Sequence, residues 1–479
     1  MMAESDVSAK INGAFEGLTL PTSRLSSEAR ARANEGTKSV RSFIYCCVVE
    51  GRERRRLVGH LLVSGMTTLL LAARPPRQSH PSLSSVSLCP DPPKIGPSWV
   101  LLSMRFLYLG LGLLLVLAEV LSDAARPNII LFITDDQDIE LGSMEFMPKT
   151  LKLLRAKGVE FKNGFVTTPI CCPSRSTILT GLYVHNHHVL TNNHNCSGPE
   201  WRNVHEDRVF GKYLSEAGYR TAYFGKYLNE YDGSYIPPGW TEWMGLIRNS
   251  RFYNYTVNFN GEKIRHGFNY ESDYLTDLVT NDTVSFIERH MRDFPEQPFL
   301  TVLSFPAPHG PEDPAPQYAD MFENVETHRT ESWNYAPNPD KQWLLQHTGK
   351  MEPVHVLFTD MLHRRRLQTL QSVDDAVQRV LNEVRMYNQL SNTYIIFSSD
   401  HGYHLGQYGL IKGKNMPYEF DIKVPFFMRG PGLPRNVSMT KPVSNIDIAP
   451  TILDMAGVPI PEHMDGRSIL DVFHDIKGE

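Results

Sequence analysis

Pro169-Ile170-Cys171-Cys172-Pro173-Ser174-Arg175-Ser176-Thr177-Ile178-Leu179-Thr180-Gly181 is the stretch of this 479-residue chain that says most about it. Pro173 and Ser174 suit the start of a helix, and Ile178 and Leu179 suit burial of its first turns. Cys171 then sits at a helix N-terminus, where backbone N–H groups and the helix dipole attract anions. A cysteine so placed fits an activated thiolate, a metal ligand or a target of covalent modification. Structural zinc is disfavoured, because no second Cys or His pair has the spacing that a tetrahedral site requires.

Around this segment, from Asn128 onward, short β-branched runs alternate with helical stretches, which predicts an α/β sheet covered on both faces. Ligands in such sheets bind beyond the carboxyl ends of the strands. Residues 129–134 (IILFIT) lead into Asp135-Asp136, and residues 221–224 (TAYF) into Gly225-Lys226. Residues 300–305 lead into Pro306-Ala307-Pro308-His309, residues 394–398 are followed by Asp400-His401, and Lys412 and Lys414 precede the apolar run 424–428. Two adjacent carboxylates and a third from a distant strand suit a hard divalent cation, which takes several oxygen ligands. An Asp pair by itself also suits a helix cap. His401 is open between ion and substrate, since neutral imidazole ligates zinc more commonly than calcium. The segment 362–384 carries a helical apolar face through Leu367, Leu370, Val373, Val377, Val380, Leu381 and Val384, and its Asp374-Asp375 pair reads as structural. The His-rich residues 184–194 read as a polar, substrate-facing loop.

With 41% hydrophobic and 21% charged residues the chain is globular, the size of one large α/β enzyme. The first 103 residues carry 13 basic and 8 acidic side chains, and the rest 35 and 45. A part that acidic is a poor nucleic-acid binder, and any anionic substrate must be met by local cations. Residues 1–103 lack periodicity and include a Pro- and Ser-rich stretch, so they read as a poorly structured extension or a gene-model artefact. Met104-Arg105, the apolar residues 106–121 and Ser122-Asp123-Ala124 read as a signal peptide over 104–124, followed by one catalytic domain over 125–479. Read from Met1, residues 99–121 are also long enough for an uncleaved signal anchor. Sequons at Asn195, Asn254, Asn281 and Asn436 follow this segment, as glycosylation in the secretory pathway requires. Cleavage leaves Cys171, Cys172 and Cys196, an odd number for a secreted chain.

The Cys171 segment resembles the hallmark of the sulfatase family, Cys-x-Pro-Ser-Arg followed by Leu-Thr-Gly. The resemblance runs from Arg126 to about Ser468, through YVHNHHVLTNN, GKYLNEYDGSYIPPGW, APHGPEDPAPQY, RRRLQTLQSVDD and DHGYHLGQYGLIKGK. Within the family the chain is most similar to the extracellular heparan sulfate glucosamine-6-O-endosulfatases and next to the lysosomal N-acetylglucosamine-6-sulfatases. Asp400-His401 and Trp333-Asn334-Tyr335-Ala336-Pro337-Asn338 favour the first group.

The resemblance implies an alkaline-phosphatase-like α/β fold, with a large, mixed, mostly parallel sheet, helices on both faces and a C-terminal subdomain mostly absent. It implies hydrolysis of 6-O-sulfate esters on glucosamine, with Cys171 oxidised to formylglycine and Ca²⁺ held by Asp135, Asp136, Asp400, His401 and residue 171. Arg175, Lys226 and Lys414 would cradle sulfate oxygens, and His309 would protonate the leaving alcohol. Cys172 and Cys196 would remain to pair as a disulfide. The implied partners are heparan sulfate or heparin as substrate and the formylglycine-generating enzyme, with no nucleic acid, and a membrane only if residues 99–121 stay as an anchor. The implied place is the secretory pathway, at the cell surface, outside the cell or in the Golgi, in preference to the lysosome. Leu182 and Leu228 depart from the basic residue and the histidine that many sulfatases have there. The chain also stops at Glu479, before the basic segment that follows in the extracellular group. The alternatives are an exo-acting sulfatase of the lysosomal type, an inactive glycosaminoglycan-binding homologue, and a phosphoester hydrolase of the same superfold, against which Cys171 argues.

Overall fold

A computed structural model describes residues 126–193 and 196–474. The expected extension 1–103, the segment 104–124, the anchor reading of 99–121 and the sequon Asn195 lie outside the described residues. Twelve strands occur in this part: β1 (Asn128–Thr134), β2 (Val159–Phe161), β3 (Gly164–Phe165), β4 (Arg220–Lys226), β5 (Glu242–Leu246), β6 (Thr256–Phe259), β7 (Glu262–Arg265), β8 (Phe299–Ser304), β9 (Thr393–Ser399), β10 (Phe426–Arg429), β11 (Val437–Met439) and β12 (Val443–Ser444). The helices that matter below are α1 (Pro148–Leu153), α2 (Cys171–Thr180), α3 (Phe210–Glu216), α4 (Leu275–Asp293), α5 (Pro353–Met386) and α6 (Ile448–Met455).

Ten strands form one mixed sheet in the order β11-β2-β10-β9-β1-β8-β4-β5-β6-β7. Its centre, β9-β1-β8-β4-β5, is parallel, and β10 and β6 run antiparallel to it on either side. Every residue of β1 is buried, as expected of a central parallel strand with both faces covered. Alternate residues serve the two faces. Ile129, Leu131 and Ile133 join α2, α3 and α6 through Ile178, Leu214 and Ile452. Ile130 and Phe132 join α4 and α5 through Phe286, Leu370 and Val377.

The expected strands are present: β1, β4 and β9 are one to three residues longer, β8 is shifted by one residue, and the apolar run 424–428 is the antiparallel β10, from Phe426 to Arg429. The helix expected from Leu362 begins nine residues earlier, at Pro353. Its first turns carry Val354, Leu357 and Met361 toward solvent, so no apolar stripe marks them. No helix starts at Asp135-Asp136, so the pair caps nothing, whereas Asp374 accepts bonds from the Lys149 and Thr150 amides at the start of α1. Among the described residues no helix is long and apolar enough to cross a membrane.

Because the central strands are parallel, their carboxyl ends share one edge. Gly225 brings β4 close to β8 there: its φ is +111°, and a Cβ would stand 1.9 Å from the Ser304 carbonyl oxygen. The close approach carries Lys226 toward the end of β1.

Three histidines are buried away from this edge. His187 bonds Thr177 Oγ1 at 3.0 Å, and the rings of His328 and His363 lie 4.4 Å apart. Burial pushes His187 and His328 down to about 4, and burial with the charges of His328 and Arg366 pushes His363 lower still. Each is neutral when folded and takes a proton when unfolded, so its contribution is complete above the unfolded pKa near 6.5 and is lost as pH falls toward 4. Urea unfolding at pH 7.5, 6 and 4.5 is expected to show a steep loss of stability, approaching ~3 kcal/mol per histidine at the acid end. A flat profile would contradict the buried neutral assignment.

Candidate active site

The expected site residues meet at the carboxyl edge of β1, β4, β8 and β9. Asp135 and Asp136 follow β1, Lys226 ends β4, His309 follows β8, and Asp400 and His401 follow β9. The β1 and β8 exits are laced together by Asp135 N–H donating to Ala307 O at 2.9 Å, and β9 joins through Asp400 N–H to Thr134 O at 3.1 Å. Asp136 turns through a left-handed backbone conformation, φ 67°, and its N–H donates to Asp400 Oδ1 at 2.9 Å.

Helix α2 brings in Cys171 and Arg175. It begins at Cys171, earlier than Pro173 suggested. Pro173 then falls in the first turn, where its missing N–H costs no helical bond. All ten residues of α2 are buried, and the helix ends at Gly181 in the left-handed region. Ser174 Oγ donates to the Asp400 carbonyl and accepts from Asn445 Nδ2 at 2.9 Å, which locks the helix start to the end of β9. Cys172 and Cys196 form a disulfide, and Cys171 is the free cysteine among the described residues.

The three carboxylates are 0 to 3% exposed, and cations surround them. Lys226 Nζ donates to both oxygens of Asp135, at 2.9 and 2.7 Å. Lys414 Nζ lies 2.5 Å from Asp136 Oδ1 and 3.1 Å from Cys171 Sγ. Arg175 Nε donates to Asp400 Oδ2 at 2.8 Å, and its Nη1 donates to Lys226 O at 3.0 Å and Ser304 Oγ at 2.7 Å. Its Nη2 has no hydrogen-bond partner and stands 3.5 Å from Asp135 Oδ1. Burial alone would raise Asp135 and Asp136. The cations outweigh it, Lys226 foremost at Asp135 and Lys414 at Asp136, and hold both below the usual carboxylate range. Burial wins at Asp400, pushing it up to about 6 against His401 and Arg175. Cys171 is likewise held well below its usual value, because Lys226 and Lys414 overcome its burial.

This donor set fits a hard cation. One ligand atom from each of Asp135, Cys171, Asp400 and His401 lies within 4.8 Å of the others, and the same holds for Asp135, Asp136, Cys171 and His309. His401 Nδ1 donates to Gly402 O at 2.9 Å, so Nε2 is turned toward Asp136 Oδ1 at 3.2 Å, Cys171 Sγ at 3.5 Å and Asp400 Oδ1 at 3.7 Å. One nitrogen facing three acceptors needs either a proton or a shared cation. His309 is half-buried, with Nδ1 2.6 Å from Gly310 O. Its burial is outweighed by Asp136 and Asp135, which raise it above the ordinary imidazole value.

Within the His-rich stretch, His185 and His188 are exposed and His187 is the exception among the described histidines. His187 is buried against Thr177, and His188 pairs with Glu200 at 2.9 Å. Leu228 is fully buried in the core, and Leu182 nearly so. Of the sequons, Asn281 and Asn436 are exposed and Asn254 is half-buried.

Two further residues belong to the site. Ser250 Oγ donates to Asp135 Oδ2. Arg366 on α5, 1% exposed, donates through Nη2 to Asp136 O at 2.7 Å and Asp138 Oδ1 at 3.0 Å, and through Nη1 to Pro308 O at 3.3 Å. Its guanidinium lies 4.0 Å from the ring centre of Tyr403, two residues beyond His401. One side chain therefore ties the β1, β8 and β9 loops together. Its signal lay in the apolar stripe of α5, where Arg366 falls four residues after Leu362 and four before Leu370. Arg366→Met, which leaves Asp138 buried without its partner, is expected to lower stability by ~3 kcal/mol in urea unfolding, with partial recovery in Arg366→Lys, which cannot span all three acceptors. An unchanged unfolding midpoint in Arg366→Met would contradict this tie.

A family profile described as Sulfatase matches residues 127–458. The chain is 68% identical over 348 residues to an extracellular sulfatase Sulf-1 homolog of Caenorhabditis elegans, covering 73% of this chain and 49% of that protein. It thus spans about half the length of that relative. It is 42% identical over 381 residues to the N-acetylglucosamine-6-sulfatase of Homo sapiens, covering 77% of this chain and 68% of that protein. Among solved structures, one in complex with its substrate D-glucosamine-2-N,6-O-disulfate superposes with a TM-score of 0.57 at 23% identity, over 72% of this chain and 80% of that one, a likeness of fold. The chain belongs to the sulfatase family and has its alkaline-phosphatase-like fold.

Proposed function

We propose that this chain hydrolyses 6-O-sulfate esters on the glucosamine residues of heparan sulfate, in the secretory pathway or outside the cell. The observation that carries the reading is Cys171 at the start of α2, with a lysine on its sulfur and three buried carboxylates around it. The relatives support the substrate: one is named an extracellular sulfatase, another an N-acetylglucosamine-6-sulfatase, and a structural neighbour holds a 6-O-sulfated glucosamine. Exposed Asn281 and Asn436 are the sequons best placed to carry glycans.

Formylglycine at position 171 would supply a hydrated aldehyde as nucleophile toward sulfur, and Ca²⁺ on Asp135, Asp136, Asp400 and His401 would supply Lewis acidity. The chain's own residues do the rest. Lys226 and Lys414 bring two positive charges to a buried edge, where they offset the charge of an entering sulfate far better than they would in water. Arg175 has Nε and Nη1 committed to Asp400, Lys226 O and Ser304, so its role is to hold the carboxylates, with only Nη2 left to face a sulfate oxygen. His309 keeps Nδ1 on Gly310 O and has Nε2 for the leaving alcohol. Asp136 and Asp135 raise its pKa against burial, which favours the protonated form that a general acid needs.

Protein secreted from a eukaryotic cell is expected to release sulfate from 6-O-sulfated heparan oligosaccharides. His309→Ala should lower kcat on them by about 10²- to 10⁴-fold, and by much less on aryl sulfates, whose phenolate leaves without a proton. Equal losses on both substrates would remove the acid role. Cleavage of phosphate esters with no sulfate release would overturn the reading in favour of a phosphohydrolase.

A further inference from the structure

We propose that Lys157, Arg429 and Arg435, which line one cavity, form with the neighbouring Arg385 a second anion site, away from the catalytic edge, that holds sulfate groups of a sulfated polysaccharide chain. The inference rests on the proposed substrate class and adds a place where a long substrate is gripped.

The site is a cavity of about 550 Å³ lined by Lys157, Leu390, Ser391, Arg429, Gly430 and Arg435, a volume typical of ligand pockets. Its position follows from the topology. Leu390 and Ser391 precede β9, Arg429 ends the antiparallel β10, and Lys157 precedes β2, so the cavity opens at the amino end of β9. Asp400 lies at the other end of that seven-residue strand, about 20 Å away. A single sugar at the catalytic edge cannot reach it, whereas a polysaccharide passing over the surface can.

The charge is unusual for this protein. Acidic side chains outnumber basic ones by 45 to 35 from Met104 onward, yet none of these four cations lies within 4 Å of a carboxylate among the described residues. Several other exposed cations are paired, Arg292 with Asp293, Lys341 with Asp340 and Lys212 with Glu216, whereas here unpaired cations gather around one cavity. The single carboxylate of β2, Glu160, is taken by Ser438 Oγ at 2.6 Å and Arg155 at 3.8 Å. Arg429 is half-buried, its Nη1 fixed on Leu153 O at 2.8 Å, and Lys157, Arg385 and Arg435 are exposed. Burial, then the charges of Arg385 and Arg435, lower the Arg429 pKa, so a bound anion would relieve a repulsion already present. A fixed guanidinium as floor with exposed cations as rim suits the oxygens of sulfate.

The sequon Asn436 follows Arg435, so the test uses the secreted protein after N-glycan trimming. Binding of a heparin octasaccharide is measured by calorimetry at 50 and 150 mM NaCl, for wild type, for Arg385→Glu/Arg435→Glu, and for Arg292→Glu/Lys341→Glu, which changes net charge equally elsewhere. Hydrolysis of a small aryl sulfate is followed in parallel. The Arg385/Arg435 variant is expected to lose at least about tenfold in octasaccharide affinity with a shallower salt dependence, while the control pair and aryl sulfate turnover stay near wild type. Unchanged affinity in the Arg385/Arg435 variant overturns the proposal, as does an equal loss in the control pair. Competition by inorganic sulfate as effective per sulfate group as the octasaccharide would show a small-anion site and overturn the polysaccharide assignment. Absence of aryl sulfate turnover in every protein would fail the catalytic reading separately, leaving the binding comparison intact.

Discussion

Three carboxylates buried at one sheet edge are tolerable only because cations were placed against them. Asp135, Asp136 and Asp400 lose nearly all their hydration, a cost that would drive them neutral if they stood alone. Lys226, Lys414 and Arg175 restore balance at hydrogen-bond distance. Lys226 and Lys414 also lower the thiol of Cys171, and in the proposed reading they are the groups that an anionic ester would meet. In the proposed function, compensation of buried charge and recognition of sulfate are one arrangement, by which a domain with an acidic balance would act on an anion.

Much of the fold serves to hold that arrangement. Parallel pairing of β9, β1, β8 and β4 places four loops at one edge. Gly225 allows the close approach that delivers Lys226, and Ser174 and Asn445 fasten the start of α2 to the end of β9. Arg366 then ties three of the loops from beneath. Sheet, helix start and clamp are contributed by sequence-distant segments, so the site depends on the whole domain being folded.

The central strands were legible because runs such as IILFIT are buried on both faces and leave no alternation to misread. Their chemistry was legible because β1, β4 and β9 end in or run directly into Asp or Lys, and His309 follows β8 within five residues. The Cys172–Cys196 disulfide was implied by the family resemblance, which assigns Cys171 to oxidation, and not by spacing. Less visible were the features that local pattern does not encode. The solvent-facing start of α5 carries no apolar stripe, and the hairpin of β6 and β7 was passed over although Asn260-Gly261, both at positive φ, mark its turn. Arg366 looked like one of three consecutive arginines, and only its place on the buried stripe separates it from Arg364 and Arg365. His187 looked substrate-facing because composition says nothing of which side of a loop packs inward.

All of this converges on residue 171, whose oxidation no geometry can display. The deciding measurement is the mass of the tryptic peptide that contains it, from folded protein secreted by a eukaryotic cell. The account predicts an aldehyde at position 171; an unmodified cysteine there, in protein that is folded and secreted, would contradict it.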